Sequence, residues 1–308
     1  MSDQPNMSRR LLLGSAIAGA GLLGAAGGAL AVGTGSTDPQ TIAIPGERRR
    51  FVGKSVTITG ATSGIGRAAA IAFAAEGAHV AFCGRRTRLG AEVEAAIREA
   101  GGEASYIEAD VREPDSVAAF VTAAAERYGP PRIAFNNAGI SFSRRLHETG
   151  IAEWDDTITT NVRGIFLAMR AQVPLMQANG GGVILVTSSA NAAGARPGLA
   201  AYNTSKRSVL GLVQTAALEY AEDNIRVNAI CPGATDTPMI RTQSNMNDVP
   251  DAVWQTGLRV WGRQNVHALK RVASAEEMAL AALSLCSDDM NYLTGSAVFV
   301  DGGMTAAL

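Results

Sequence analysis

Val56-Thr57-Ile58-Thr59-Gly60-Ala61-Thr62-Ser63-Gly64-Ile65-Gly66 is the stretch that decides the fold. Four consecutive β-branched residues read as a short strand of the kind buried in a parallel sheet. Glycines at 60, 64 and 66 follow at once, and an alanine-rich helix is expected over 65–76. Such glycines allow a tight turn and a close approach of the backbone to a ligand. The helix that opens there offers free N–H groups and a partial positive charge, which suit a pyrophosphate. The spacing G-x-x-x-G-x-G differs from the commoner G-x-G-x-x-G. By itself it is only a glycine-rich turn; the strand before it and the helix after it give it weight.

Downstream the alternation continues. Strands are expected over 79–83, 104–108, 133–136, 183–187, 226–230 and 297–300. Helices are expected over 89–100, 116–128, 157–177, 201–221 and 274–286, with Pro174 as a kink and Gly101-Gly102 as a stop. Seven strands alternating with helices give an α/β fold. It is a Rossmann-like, doubly wound parallel sheet of seven strands, flanked by helices on both faces. Ligands of such sheets bind at the carboxyl ends of the strands, near where the strand order reverses. The chemistry is therefore expected just past the strands.

Upstream, Ser8-Arg9-Arg10-Leu11-Leu12-Leu13 opens an uncharged run rich in Gly and Ala that ends near Val32. Ala29-Leu30-Ala31 has the small residues that a signal peptidase reads. Residues 1–32 resemble a twin-arginine export signal, which implies the export machinery as a partner and a periplasmic or extracytoplasmic location. The alternatives are an uncleaved membrane anchor, since the run is about long enough to span, and a cytoplasmic protein with a disordered tail. Residues 33–50 read as a linker and 51–308 as a single catalytic domain. A formal net charge of −1 leaves no electrostatic footprint for nucleic acid. Cys83, Cys231 and Cys286 are far apart, and so are His79, His147 and His267, so neither a disulfide framework nor a metal site is expected.

Each strand end then offers candidates. Gly60, Thr62, Ser63, Gly64, Ile65 and Gly66 form the expected pyrophosphate turn. The second strand ends in Cys83-Gly84-Arg85-Arg86, with Gly84 where an acid would accept from a ribose 2′-hydroxyl. Arg85 and Arg86 can pair instead with a 2′-phosphate, which favours NADP over NAD. Solvated surface arginines are the plain alternative. Asp110 and Val111 follow the third strand and are expected at the adenine. Asn137, Ala138 and Gly139 follow the fourth, beside the cofactor. In each case a turn residue that merely holds its own loop is the other reading.

Tyr202 and Lys206 stand at i and i+4 of an expected helix and share a face. An ammonium beside a phenol favours the phenolate and lowers its pKa from about 10, so Tyr202 is the expected general acid or base. A Y-x-x-x-K pair alone also arises by chance. Ser189 and Ser188, just past the fifth strand, are rivals for orienting a substrate oxygen. Asn161, within the helix after the fourth strand, either faces water or holds a water that links Lys206 to bulk.

Residues 59–66 and 136–139, together with Asn161, Ser189, Tyr202, Lys206, Pro232-Gly233 and Val300-Asp301-Gly302-Gly303, resemble the short-chain dehydrogenase/reductase family. The likeness is to its short 3-oxoacyl-reductase-like form and runs from about residue 54 to 303. The resemblance implies interconversion of an alcohol and a carbonyl by hydride transfer with NAD(P)(H), and Tyr202 as the acid/base. It selects Ser189, because the family's serine commonly lies thirteen residues before the tyrosine. It places Lys206 on the nicotinamide ribose, and the backbone after Pro232-Gly233, with Thr235 and Thr237, on the carboxamide. A small-molecule substrate and a homotetramer or homodimer are implied as well. The family's mobile substrate lid falls over 237–271, the most irregular stretch. Trp254, Leu258 and Trp261 there fall at helical spacing. They are expected to pack the lid on the domain; the sharper reading is an apolar wall for a lipophilic or ring-shaped carbonyl. Export would remove the enzyme from a soluble NADP pool. The alternative function is therefore an enzyme with permanently bound NADP that acts as an epimerase or coupled oxidoreductase. A non-catalytic cofactor-binding protein is a further alternative, against which the complete set Asn161, Ser189, Tyr202 and Lys206 counts.

Overall fold

The computed structural model describes residues 49–307. The expected export signal and residues 33–48 of the expected linker lie outside them. The first half of the chain runs through β1 (Ser55–Thr59), α1 (Gly64–Ala75), β2 (His79–Gly84), α2 (Thr87–Glu99), β3 (Glu103–Glu108), α3 (Pro114–Tyr128) and β4 (Ile133–Asn136). The second half runs through α4 (Ile151–Ile158), a π turn (Thr159–Arg163), α5 (Gly164–Ala178), β5 (Gly182–Thr187), α6 (Ala200–Glu219), β6 (Ile225–Pro232), α7 (Pro238–Gln243), α8 (Asp251–Asn265), α9 (Ala275–Cys286) and β7 (Ala297–Val300).

The seven strands form one sheet in the order β3-β2-β1-β4-β5-β6-β7, and every pairing is parallel. The chain winds outward from β1 to β3, then crosses back to β4 and winds the other way. The order thus reverses between β1 and β4. Thr59, Asn136 and Val186 are in register there, so three strands finish on one line. That line is where such sheets open a crevice.

Period-two alternation sorts the core into two layers. Val56, Ile58, Ile133, Phe135, Val183 and Leu185 face α1 and α9, against Phe73 and Leu283. Ala134, Ile184 and Val186 face α5 and α6, against Ile165, Met169, Val209 and Val213. Burying both faces explains why the central strands read as apolar runs rather than alternating ones. Polar side chains in this core are paired: Asn136 and Gln172 exchange hydrogen bonds of 3.0 and 3.1 Å.

Two elements differ from the sequence-based expectation. The helix expected over 157–177 begins at Ile151 and is interrupted by the π turn, a one-residue expansion that hydrophobic spacing does not reveal. The stretch expected to be irregular holds α7 and the fifteen-residue α8. Trp254 and Leu258 of α8 pack with Ile240 and Val272, and Trp254 Nε1 donates to Asp236 Oδ1 at 3.1 Å. Tertiary burial of one apolar stripe makes this segment a helix despite its two glycines.

At the start of the domain Arg50 donates to both oxygens of Glu76 at 2.7 and 2.6 Å, and Glu76 is fully buried. Phe51, also fully buried, meets Phe73 edge-on with ring centroids 4.9 Å apart. Removing one partner of a buried ion pair strands the other charge. Arg50→Ala should therefore destabilise the domain by about 3 kcal/mol in urea denaturation. Arg50→Ala/Glu76→Gln should recover much of that loss, because no buried charge remains.

Candidate active site

The crevice at the β1/β4 reversal is a cleft of ≈ 540 Å³, within the usual range for small-molecule sites. Its floor is the glycine turn. Gly60 (φ +71°) lies so close to the loop after β4 that a Cβ there would sit 2.6 Å from the Ala138 Cα. A Cβ on Gly66 would meet the Gly60 carbonyl oxygen at 2.5 Å and the Asn137 Nδ2 at 2.6 Å. Thr59 and Asn137 lock this contact. Thr59 Oγ1 accepts from the Asn137 and Ala138 N–H groups at 3.1 Å, and Asn137 Nδ2 donates back to the Thr59 and Gly60 carbonyls.

Helix α1 opens on the cleft at Gly64. Its N-cap, Ser63, makes no side-chain capping bond, and its first turn carries no acid. The first N–H groups of a helix have no partner within it. An uncapped, acid-free helix end beside glycines with no room for a Cβ fits a pyrophosphate. At the end of β2, a Cβ on Gly84 would stand 2.8 Å from the Thr62 Cγ2, so a larger side chain there would require Thr62 to shift. Arg86 instead donates to Thr62 Oγ1 at 3.0 and 2.7 Å and to Ser63 Oγ at 2.7 Å. Burial and the neighbouring Arg85 both lower the Arg86 pKa. Arg85 approaches Asp110 only to 3.9 Å. Burial alone would raise the Asp110 carboxyl, but hydrogen bonds from Arg112 outweigh it and hold Asp110 below the usual range.

At the other end, α6 carries Tyr202 and Lys206, both buried. Lys206 Nζ donates to the Thr187 carbonyl at 2.7 Å. Burial lowers its pKa to about 8. Burial also raises the Tyr202 phenol, and a hydrogen bond with Ser189 partly offsets this. The expectation that the ammonium lowers the phenol is thus corrected for the cleft as it stands. Nζ lies 5.6 Å from the tyrosine ring centroid and is bonded to a strand carbonyl, so desolvation dominates. The two serines separate cleanly. Ser188 Oγ donates to the Lys206 carbonyl at 2.7 Å and is spent on holding α6; Ser189 faces the phenol.

All the expected cofactor residues except Gly66 line the cleft, and so do Ser189, Tyr202 and Lys206. Gly66 and Asn161 stand behind it. Gly66 lets α1 pack on the turn. Asn161, in the π turn, accepts from Ile140 N at 2.8 Å and donates to Ile140 O at 2.9 Å and Ser205 Oγ at 3.0 Å. Its Oδ1 and Lys206 Nζ both face Gly139, at 3.3 and 3.5 Å from where a Cβ would be. Trp254, Leu258 and Trp261 are not among the lining residues; Trp254 and Leu258 pack the lid on the domain, while Met239 and Ile240 of the same lid line the cleft. The apolar lining comes from Ile140, Phe142, Met239, Ile240 and Met304. Met239 and Ile240 belong to the apolar set that the sequence places in the lid; Ile140, Phe142, Met304, Thr187 and Arg196 were not found by sequence reasoning. Only Thr187, at the end of a strand, carried a positional signal.

Over residues 60–305 the chain matches the family model described as enoyl-(acyl carrier protein) reductase. It is 39% identical over 269 residues to a 3β-hydroxysteroid dehydrogenase of Mediterraneibacter gnavus, spanning 83% of this chain and 96% of that protein. It is 39% identical over 253 residues to an A-factor type γ-butyrolactone 1′-reductase of Streptomyces virginiae, spanning 80% and 94%. The crystal structure of levodione reductase superposes with a TM-score of 0.78 at 34% identity, over 84% of this chain and all of that one.

The contacts at residue 66 have a direct consequence. Gly66→Ala should cost about 1–3 kcal/mol through overpacking against the Gly60 carbonyl. By displacing the turn it should weaken NADPH binding at least tenfold, measured by fluorescence titration alongside thermal melting.

Proposed function

The chain belongs to the short-chain dehydrogenase/reductase family and is an oxidoreductase that interconverts alcohols and carbonyls with NAD(P)(H); from that premise we propose that Tyr202 exchanges the proton with the substrate oxygen. The observation that carries this reading is that Ser189, Tyr202 and the buried Lys206 ammonium line one cleft. The bound nicotinamide supplies or accepts the hydride. In reduction Tyr202 donates its proton to the carbonyl oxygen, and in oxidation the phenolate removes the alcohol proton. Ser189 donates a hydrogen bond to the same oxygen and holds it at the phenol. Lys206 would hold the nicotinamide ribose hydroxyls when the cofactor is bound, and its charge stabilises the phenolate as the proton leaves. Asn161 keeps Ile140 and α6 in place and positions a water that passes protons from Lys206 to solvent.

NADP is the proposed cofactor. Burial, and after it repulsion from Arg85, lowers the Arg86 pKa; a 2′-phosphate between the two would offset both, and Gly84 leaves no acid to repel it. The relatives' names, dehydrogenase and reductase, favour this chemistry over the epimerase and non-catalytic alternatives. Exposed Ile151, Trp154 and Phe166 on α4 and α5 support a homodimer or homotetramer. The paired Arg9-Arg10 before an apolar run supports export by the twin-arginine route.

Tyr202→Phe should lower turnover by about 10³-fold or more while the NADPH dissociation constant, from fluorescence titration, stays within about threefold. Retained turnover would sink the assignment. A phenol raised by burial stays protonated through neutral pH. Carbonyl reduction should therefore be flat there and fall only at alkaline pH. Alcohol oxidation should rise with pH, until loss of the Lys206 charge above about 8 limits the gain. Arg86→Ala should shift the NADPH-to-NADH ratio of kcat/KM toward NADH by at least tenfold, through loss of a charge-assisted bond of about 1.5–3 kcal/mol.

A further inference from the structure

The cleft holds a cation that the hydride chemistry does not use. Arg196 lies on the loop between β5 and α6, seven residues past Ser189, and lines the cleft. The start of α6 fixes its backbone: Asn203 Nδ2 and Leu199 N donate to its carbonyl at 3.2 and 3.4 Å. Arg207 holds the same loop through the Ala193 and Gly194 carbonyls. Arg144 N donates to the Gly198 carbonyl at 2.9 Å, tying the loop to the segment after β4. Arg196 is therefore set on the same rigid body as Tyr202.

Its guanidinium carbon lies 4.9 Å from the Trp261 ring centroid on α8, so the lid helix supplies a flat surface that orients the fork. Among the described residues no carboxylate lies within ion-pair distance of this guanidinium, and it donates no hydrogen bond. The carboxylates that line the cleft, Asp110 and Asp156, are both taken by Arg112. Burial lowers the Arg196 pKa, the mark of a charge removed from water without compensation. Such a charge is costly unless a partner completes it. Two guanidinium groups that line the cleft thus have no carboxylate partner among the described residues: Arg86, bonded to the glycine turn, and Arg196, on the loop after Ser189. Apolar side chains of Phe142, Met239 and Met304 line the cleft as well.

We propose that Arg196 binds a carboxylate on the substrate, so that the substrate is a hydroxy or oxo acid with an apolar body and its carboxylate remote from the reacting carbon. The planar fork of Arg196 matches a carboxylate bidentately, and the fixed loop sets the distance from that carboxylate to the carbon facing Tyr202. This rests on the reading of Tyr202 as the proton-exchanging group.

The test pairs oxo acids with their neutral esters: 4-oxocyclohexanecarboxylate and 6-oxoheptanoate, each against its methyl ester, reduced with NADPH. The wild type should prefer the acids at least tenfold in kcat/KM. Arg196→Gln should lower kcat/KM for the acids at least tenfold more than for the esters, chiefly through KM, and Arg196→Lys should keep most of the preference. Equal use of acids and esters by the wild type overturns the proposal. So does a variant that slows acids and esters alike, as loss of a lid contact to Trp261 would, or one that instead loses NADPH affinity. Binding of the two acids to NADPH-loaded Tyr202→Phe enzyme, read by tryptophan fluorescence, separates this inference from the catalytic one. Saturable binding lost on adding Arg196→Gln supports Arg196 whatever the turnover, and no binding of either acid overturns it. Turnover retained by Tyr202→Phe defeats the catalytic reading alone.

Discussion

The active cleft depends on how closely the end of β1 approaches the end of β4. Gly60 leaves no room for a Cβ against Ala138, and Gly66 leaves none against Gly60 and Asn137. Thr59 and Asn137 close that contact with reciprocal hydrogen bonds, and Thr187 Oγ1 adds a bond to Asn137 Oδ1 from β5 at 3.1 Å. Three parallel strands are thereby held together at the point where their order reverses. The N-cap of α1, Ser63, makes no side-chain capping bond and the first turn carries no acid, so the packing of the turn leaves a helix start of the kind that suits a pyrophosphate.

Desolvation sets the electrostatics of the rest. The same burial raises the Tyr202 phenol and lowers the Lys206 ammonium, drawing each toward its neutral form. The ammonium is held by an uncharged partner, the Thr187 carbonyl, and Ser189 lines the cleft with the phenol. Arg86 and Arg196 line the cleft without a carboxylate partner among the described residues, while Arg112 neutralises Asp110 and Asp156.

Much of this was legible in order along the chain. Residues 56–66 announced strand, turn and helix, and the repeated alternation that followed required a parallel sheet, because buried parallel strands are apolar on both faces. Ser189, Tyr202 and Lys206 were visible as a spacing. The choice between Ser188 and Ser189 needed a family habit to make and a fold to explain: one hydroxyl bonds the backbone of α6, and the other lines the cleft with the phenol. The π turn around Asn161 was hidden, since one extra residue in a helix barely disturbs its apolar period. The lid stripe of Trp254, Leu258 and Trp261 had helical spacing that fits packing or ligand contact equally well, and only the position of α8 turns it inward.

By itself, then, the sequence determined the strand–helix alternation, the glycine turn and the residue types of the proton-exchanging set, because these depend on local propensity and spacing. Only the tertiary structure decided that Ser188 is spent on the backbone of α6, which way the phenol and ammonium shift, how closely Thr62 packs on Gly84, and that Arg196 lines the cleft with no carboxylate partner among the described residues. Each of those depends on burial and on partners distant in the chain, such as Thr62 below Gly84, Thr187 below Lys206 and Trp261 beside Arg196. Local sequence carries no record of such distances.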